Sequence, residues 1–213
     1  AAALKQVPSC ENATWETIKT NIIGSKNVID AAISNKVKNL TLLSTDKSVY
    51  PINSMGMTKA LMEKLALNVD FPEKTNINCV RYGNVMYTRG SVLPLFVNQI
   101  LEKKDLTITE PSMTRFMMRI EESIYLVEKS LSLKNGGNIY VKKSPASTII
   151  NLAKVLIKIF NSKSKIKIIG LRPGEKIHET LITSEEMNRI KSFSGHYIIT
   201  EKSTNKNTKK MSL

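Results

Sequence analysis

Apolar positions recur at two spacings along this chain, and the spacing alternates from segment to segment. Over residues 17–32, Ile18, Ile22 and Ile29 are continued by Ile33 at near-helical intervals, with Thr14 placed to cap the helix. Residues 39–44 predict a strand, and 54–69 a helix with Leu61, Leu65 and Val69 on one face. A strand is predicted at 76–81 and a helix at 91–103, with Pro94 in its first turn, where a missing N–H is tolerated. Residues 106–109 read as short and extended and 121–133 as helical; Gly136-Gly137 breaks that helix before a strand at 138–141. An amphipathic helix at 148–160, a strand at 165–169, a short helix at 184–190 and a last strand at 196–200 complete the pattern. Strands alternating with helices imply parallel βα units, hence an open α/β sheet.

Composition narrows the classes of function. A chain of 213 residues, 41% hydrophobic, can bury a real core. No apolar run approaches the ~20 residues that cross a bilayer, and no signal-peptide pattern opens the chain, so the expected partners exclude a membrane. Cys10 and Cys79 are the two cysteines, too few for a disulfide framework or a zinc spacing, and a cytoplasmic location is expected. With only His178 and His196 besides, no metal site is predicted. The net charge of +14 raises a nucleic-acid reading. The lysines are spread, arginine is sparse, and no aromatic-flanked basic stripe is present to stack bases. The charge therefore reads as a solvated surface with a general attraction for anionic ligands, and residues 201–213 as a disordered basic tail.

The chemistry concentrates in residues 43–59, LSTDKSVYPINSMGMTK. An apolar run ends in Ser44-Thr45, an adjacent acid and base follow at Asp46 and Lys47, and after a turn a helix carries Lys59. A strand that delivers a hydroxyl, a carboxylate and an amine to its carboxyl end is how open α/β sheets build active sites. Removing a proton at one atom while a hydroxyl departs from the next needs a base and an acid a few ångströms apart.

This segment resembles the extended short-chain dehydrogenase/reductases that act on nucleotide sugars, and within them the inverting UDP-N-acetylglucosamine 4,6-dehydratases that also epimerise C5. Most of that superfamily carries Tyr-x-x-x-Lys; here Met55 stands four residues before Lys59, as in a sub-branch that keeps Thr-Asp-Lys with Met-x-x-x-Lys. A thioether cannot exchange a proton, so the alternative is a lost active site. The resemblance covers nearly all of residues 1–200. It implies the C-terminal part of a Rossmann-type doubly wound parallel sheet plus a smaller mixed α/β substrate-binding region. Residues 1–85 would be the remaining part of the dinucleotide-binding domain, and 86–200 the substrate-binding region interleaved with the last Rossmann elements. The Gly-x-x-Gly-x-x-Gly run that opens such enzymes occurs nowhere in this sequence, so the chain is expected to be N-terminally truncated.

The resemblance also distributes roles. Thr45, Asp46, Lys47 and Lys59 would be catalytic; Leu43, Ser44, Met55, Lys59, Val85, Met86 and Arg89 would hold NADP, with NAD the alternative; Lys5, Asn84, Arg115, Arg172 and Glu175 would hold the substrate. Lys5 has the plainer reading of an exposed surface lysine, Asn84 of a turn residue, Arg115 of a partner of Glu121 or Glu122, and Arg172 and Glu175 of charges displayed by the Pro173-Gly174 turn. Asn21 is taken as a structural hydrogen-bonder and His178 as structural.

The implied reaction oxidises the sugar at C4. Lys47 takes the C5 proton, Asp46 protonates the departing C6 hydroxyl, Thr45 holds the C4 oxygen and Lys59 orients the cofactor ribose. For Lys47 to act as a base its pKa must fall through burial or a neighbouring positive charge, which Lys59 can supply. With methionine at position 55, the C4 proton falls to Asp46, Lys47 or a water. A homo-oligomer in surface polysaccharide biosynthesis is the accompanying expectation. The alternatives are a UDP-sugar 4-epimerase, a catalytically incompetent fragment, and a basic nucleic-acid module.

Overall fold

The structure, a computed structural model, describes residues 3–68, 75–133, 135–193 and 195–200. Val69 and the tail 201–213 therefore lie outside the described residues. In chain order the elements are helices α1 (Val7–Asn12) and α2 (Thr14–Ile18), a π-helical turn (Lys19–Ile23), α3 (Gly24–Ser34), strand β1 (Asn39–Leu43), α4 (Ser54–Leu67), β2 (Asn76–Arg81) and β3 (Asn84–Val85). They continue with α5 (Val92–Leu101), β4 (Leu106–Ile108), β5 (Thr114–Met118), α6 (Ile120–Ser132), β6 (Asn138–Lys142), β7 (Ala146–Thr148), α7 (Ile149–Ile159), β8 (Ile166–Ile168), β9 (Ile190–Phe193) and β10 (His196–Thr200).

Among the described residues the main sheet has the order β1-β2-β6-β10-β9. β1, β2 and β6 run parallel, Leu43 opposite Val80 and Arg81 opposite Val141, whereas β10 and β9 join antiparallel. Helices cover both faces, and the two-residue period of the strands decides which side chain meets which helix. Ile77, Cys79, Ile139, Val141 and Ile199 pack with Ile29 of α3 and Met62, Ala66 and Leu67 of α4. Val80 and Tyr140 point the other way, onto Leu126 of α6. This is the α/β architecture the alternation of elements predicts, with an antiparallel ribbon added at one edge.

A separate apolar cluster lies beneath the second half of the chain. Phe96, Val97 and Ile100 of α5 pack with Leu106 and Ile108 of β4 and with Ile149, Ala153 and Leu156 around α7. The short sheets β3-β5-β7 and β4-β8 frame it.

Two local expectations are corrected. Thr14 does not cap the following helix: its hydroxyl donates back to the carbonyls of Cys10 and Glu11, and the N-cap is Ala13 without a side-chain bond. The predicted helix at 184–190 shrinks to a 3₁₀ turn, Glu186–Arg189, because the strand β9 begins at Ile190. Asn21 does bond structurally. From the π-helical turn its amide grips both backbone groups of Leu4, accepting at 3.0 Å and donating at 2.9 Å, and also reaches Thr58.

Candidate active site

Strand β1 delivers the predicted triplet to the carboxyl edge of the sheet. Its ladder to β2 continues beyond Leu43, for Ser44 N–H donates to the Val80 carbonyl and Asp46 N–H to that of Tyr82. A 3₁₀ turn (Asp46–Ser48) then starts at Thr45, whose hydroxyl oxygen accepts from Lys47 N–H and caps the turn. The same hydroxyl donates to Asp46 Oδ1 at 2.9 Å, and Lys47 Nζ donates to that oxygen at 3.0 Å.

Asp46 is sealed. Its side chain has no exposed surface, and Oδ2 is buried without a hydrogen-bond partner. Gly83 explains the fit, since a methyl there would strike Phe116 and come within 3.3 Å of Oδ2. Lys47 keeps 17% of its side chain exposed and is the most open ionic group of the cluster.

Sequence reasoning missed Glu179. One of its carboxylate oxygens lies 3.1 Å from Lys47 Nζ, on a side chain only 1% exposed. Neither oxygen receives an aligned hydrogen bond. Arg115 approaches the same carboxylate at 4.0 Å while its Nη1 donates to the carbonyls of Thr114 and Ile177. Arg115 is therefore buried beside Glu179 and does not pair with Glu121 or Glu122. The expected cation next to Lys47 is not Lys59 either: the charges flanking its ammonium are two carboxylates, Asp46 and Glu179.

Lys59 projects from α4 to the tip of β1, where its ammonium donates to the Leu43 carbonyl at 2.8 Å and rests on Met62 Sδ. Burial pushes its pKa below the ordinary lysine range. With one carbonyl and a thioether engaged, the ammonium retains an N–H for a ligand hydroxyl, which suits the ribose of a dinucleotide. Helix α4 is capped by Asn53, whose Oδ1 accepts from Gly56 N–H, and carries Met55 into the interior. Leu43, with 39% of its surface exposed, and the buried Ser44 complete the tip.

The remaining predicted residues fall into two groups. Lys5 and the 85–89 loop come together, because Lys5 Nζ donates to the Arg89 carbonyl at 3.0 Å. Asn84 and Val85 form β3 beside β5, Met86 N–H donates to Met118, and the side-chain oxygen of Asn84 is buried without a partner. Arg172 and Glu175 share a turn that Glu175 closes by accepting from Arg172 N–H. That turn docks on α4, Gly174 accepting from Asn53 Nδ2, and Lys176 ties it to the carbonyls of Val49 and Tyr50. His178 Nδ1 and the Thr114 hydroxyl are hydrogen-bonded at 2.9 Å. No group of His, Cys, Asp and Glu among the described residues can hold a metal, and no described helix is long and apolar enough to cross a membrane.

Residues 1–201 match the model of a family described as polysaccharide biosynthesis protein. The chain belongs to that family. It is 56% identical over 202 residues to a protein of Rickettsia bellii named UDP-glucose 4-epimerase, and 54% identical to one of the same name from Rickettsia prowazekii. In both cases 93% of this chain is covered, but the chain spans only 59% of the relative's length. Among solved structures, Pen from Bacillus thuringiensis superposes with a TM-score of 0.90 at 38% identity, over 94% of this chain and 65% of that one. DesIV from Streptomyces venezuelae, a dTDP-glucose 4,6-dehydratase with NAD and TYD bound, reaches 0.78 at 18% identity, over 88% and 65%, a likeness of fold.

Proposed function

We propose that the protein containing this chain is a nucleotide-sugar 4,6-dehydratase that acts on UDP-N-acetylglucosamine or a related UDP-sugar, inverts C5 and serves surface polysaccharide synthesis. The observation that carries this reading is the Asp46 carboxylate 3.0 Å from the Lys47 ammonium at the tip of β1. Retaining only the C4 chemistry of an epimerase would leave that pair without a task. The family description supports the place in polysaccharide synthesis.

A nicotinamide cofactor, NADP or NAD, when bound supplies hydride acceptance at C4 and hydride return at C6. Lys59 would hold its ribose, and Leu43, Ser44, Met55, Val85, Met86 and Arg89 would line its nicotinamide end. Once C4 is a ketone, the C5 proton is acidified and Lys47 removes it. Asp46 has no surface of its own, so it exchanges protons through its two donors, the Thr45 hydroxyl and the Lys47 ammonium. The acid that releases the C6 hydroxyl is thus Asp46 acting through one of these groups. Met55, buried in α4, offers no exchangeable proton, so the C4 hydroxyl is served by the Thr45–Asp46 pair or a water. Lys5, Asn84, Arg115, Arg172 and Glu175 remain the proposed contacts of the nucleotide sugar, with Asn84's unpartnered amide oxygen free to accept a bond.

A UDP-sugar 4-epimerase is the second reading, favoured by the names of the Rickettsia relatives. Incubation of the whole protein with UDP-N-acetylglucosamine separates them. A product lighter by one water supports the dehydratase; a product of unchanged mass, epimeric at C4, supports the epimerase.

A further inference from the structure

Lys47 presents a chemical difficulty that the two flanking carboxylates define. An amine takes a proton from carbon only after it has lost its own, yet here the ammonium lies 3.0 Å from Asp46 and 3.1 Å from Glu179. Both carboxylates are sealed, with 0% and 1% of their side chains exposed, so Lys47 is the member through which a ligand meets this cluster. A sugar covering it leaves the ammonium no water to receive its proton.

The two carboxylates differ in what holds their charge. Asp46 Oδ1 accepts aligned hydrogen bonds from Thr45 and Lys47. Glu179 has the ion pair alone: neither oxygen receives an aligned bond, and the Arg115 guanidinium stands off at 4.0 Å with its Nη1 given to two carbonyls. Glu179 therefore keeps both oxygens without an aligned hydrogen bond, one of them 3.1 Å from the Lys47 ammonium and placed to accept its proton.

We propose that Glu179 is the positioning residue and proton store of Lys47. In the covered site the Nζ–H bond breaks and an Oε–H bond forms on Glu179, turning an ion pair into an amine and a carboxylic acid with no change of net charge. The amine's lone pair then takes the C5 proton, and the electrons of that C–H bond pass to the C4 oxygen. Lys47 passes that proton through Asp46 to the departing C6 oxygen and is an amine again. A solvent proton reaches C5 from the opposite face, and when the site opens the stored proton returns from Glu179 to Lys47. This role rests on the dehydratase reading above.

The groups facing Lys47 and Glu179 are Asp46 on the same turn and Arg115 on β5. The test compares the whole protein, with cofactor, and its Glu179→Gln variant for 4-keto sugar formation against pH. The wild type should be flat through neutrality. In the variant Lys47 must lose its proton to solvent before the sugar covers it, so turnover should fall at neutral pH and recover about tenfold per pH unit on raising pH. Equal profiles, or a uniform loss at every pH, would overturn the proposal.

Infrared difference spectra of wild type mixed with UDP-N-acetylglucosamine keep the question open to test should Glu179→Gln not fold. A protonated-carboxyl band should appear, persist in Asp46→Asn and vanish in Lys47→Met. Its absence from wild type, or its loss in Asp46→Asn, also contradicts the idea. A wild type that yields only the C4 epimer removes the dehydratase reading, and this role with it; a dehydrating wild type with an unaltered variant removes the role alone.

Discussion

Arg81 and Glu186 are joined by two parallel N–H···O bonds, 2.9 and 3.1 Å long, that fasten the C-terminal segment to the end of β2. Glu63 of α4 holds the same guanidinium from the other side at 2.6 and 3.1 Å, and the Leu181 carbonyl accepts from Nη1. Only 3% of the arginine side chain is exposed. Arg81→Met leaves two buried carboxylates without a counter-charge and should cost about 3–5 kcal/mol, read as a lower denaturation midpoint. Because this lock also anchors the segment that follows Glu179, the variant should lose turnover along with stability.

Gly56 should reject even a methyl group. At an ordinary helix position Gly→Ala gains about 1 kcal/mol. Here the added carbon would strike the Lys47 carbonyl, so the sign should reverse to a loss of about 1–3 kcal/mol. Thermal unfolding of Gly56→Ala checks the direction.

Lys59 trades stability for function. Burial depresses its pKa, so between that lowered value and the unfolded value near 10.4 the unfolded chain binds more protons than the folded one. Stability should therefore rise with pH through that window, and the full cost of the buried ammonium is present below it. Lys59→Met should be more stable by roughly 1–2 kcal/mol at neutral pH, lack that rise, and be inactive. Melting temperatures of both proteins across alkaline pH give the comparison.

Much of the scaffold was legible because its signals are local. The strands β2 and β6 are written within a few residues of where they act, as is the Thr45-Asp46-Lys47 triplet at the end of β1. The strand β5, by contrast, consists of Thr114–Met118, half-polar and supported by short neighbours, and carried no clear period. Glu179 was invisible for another reason: nothing in its surroundings along the chain ties it to Lys47, which only the folded return of the chain brings within 3.1 Å. Arg81 did carry a readable sign, a charge placed on the inward face after Ile77 and Cys79, which a buried strand accepts only when partners await it. The charges beside Lys47 were misjudged because Lys59 reaches the Leu43 carbonyl, a backbone partner that side-chain spacing does not reveal.

Asp46 and Lys47 should be separable from the fold. Asp46→Asn keeps the volume and the bond from Thr45. Lys47→Ala removes a partly exposed side chain but leaves Asp46 and Glu179 without their ion pair, so its melting temperature should fall although the fold is kept. Either change should abolish formation of the 4-keto sugar in the whole protein while leaving circular dichroism unchanged. Retained turnover in either variant removes the catalytic assignment.

The most direct measurement is the mass of the product that the whole protein makes from UDP-N-acetylglucosamine in deuterated water. The account predicts a sugar lacking one water, with solvent deuterium at C5. A product still holding all its oxygens, changed only at C4 and free of deuterium at C5, would contradict it.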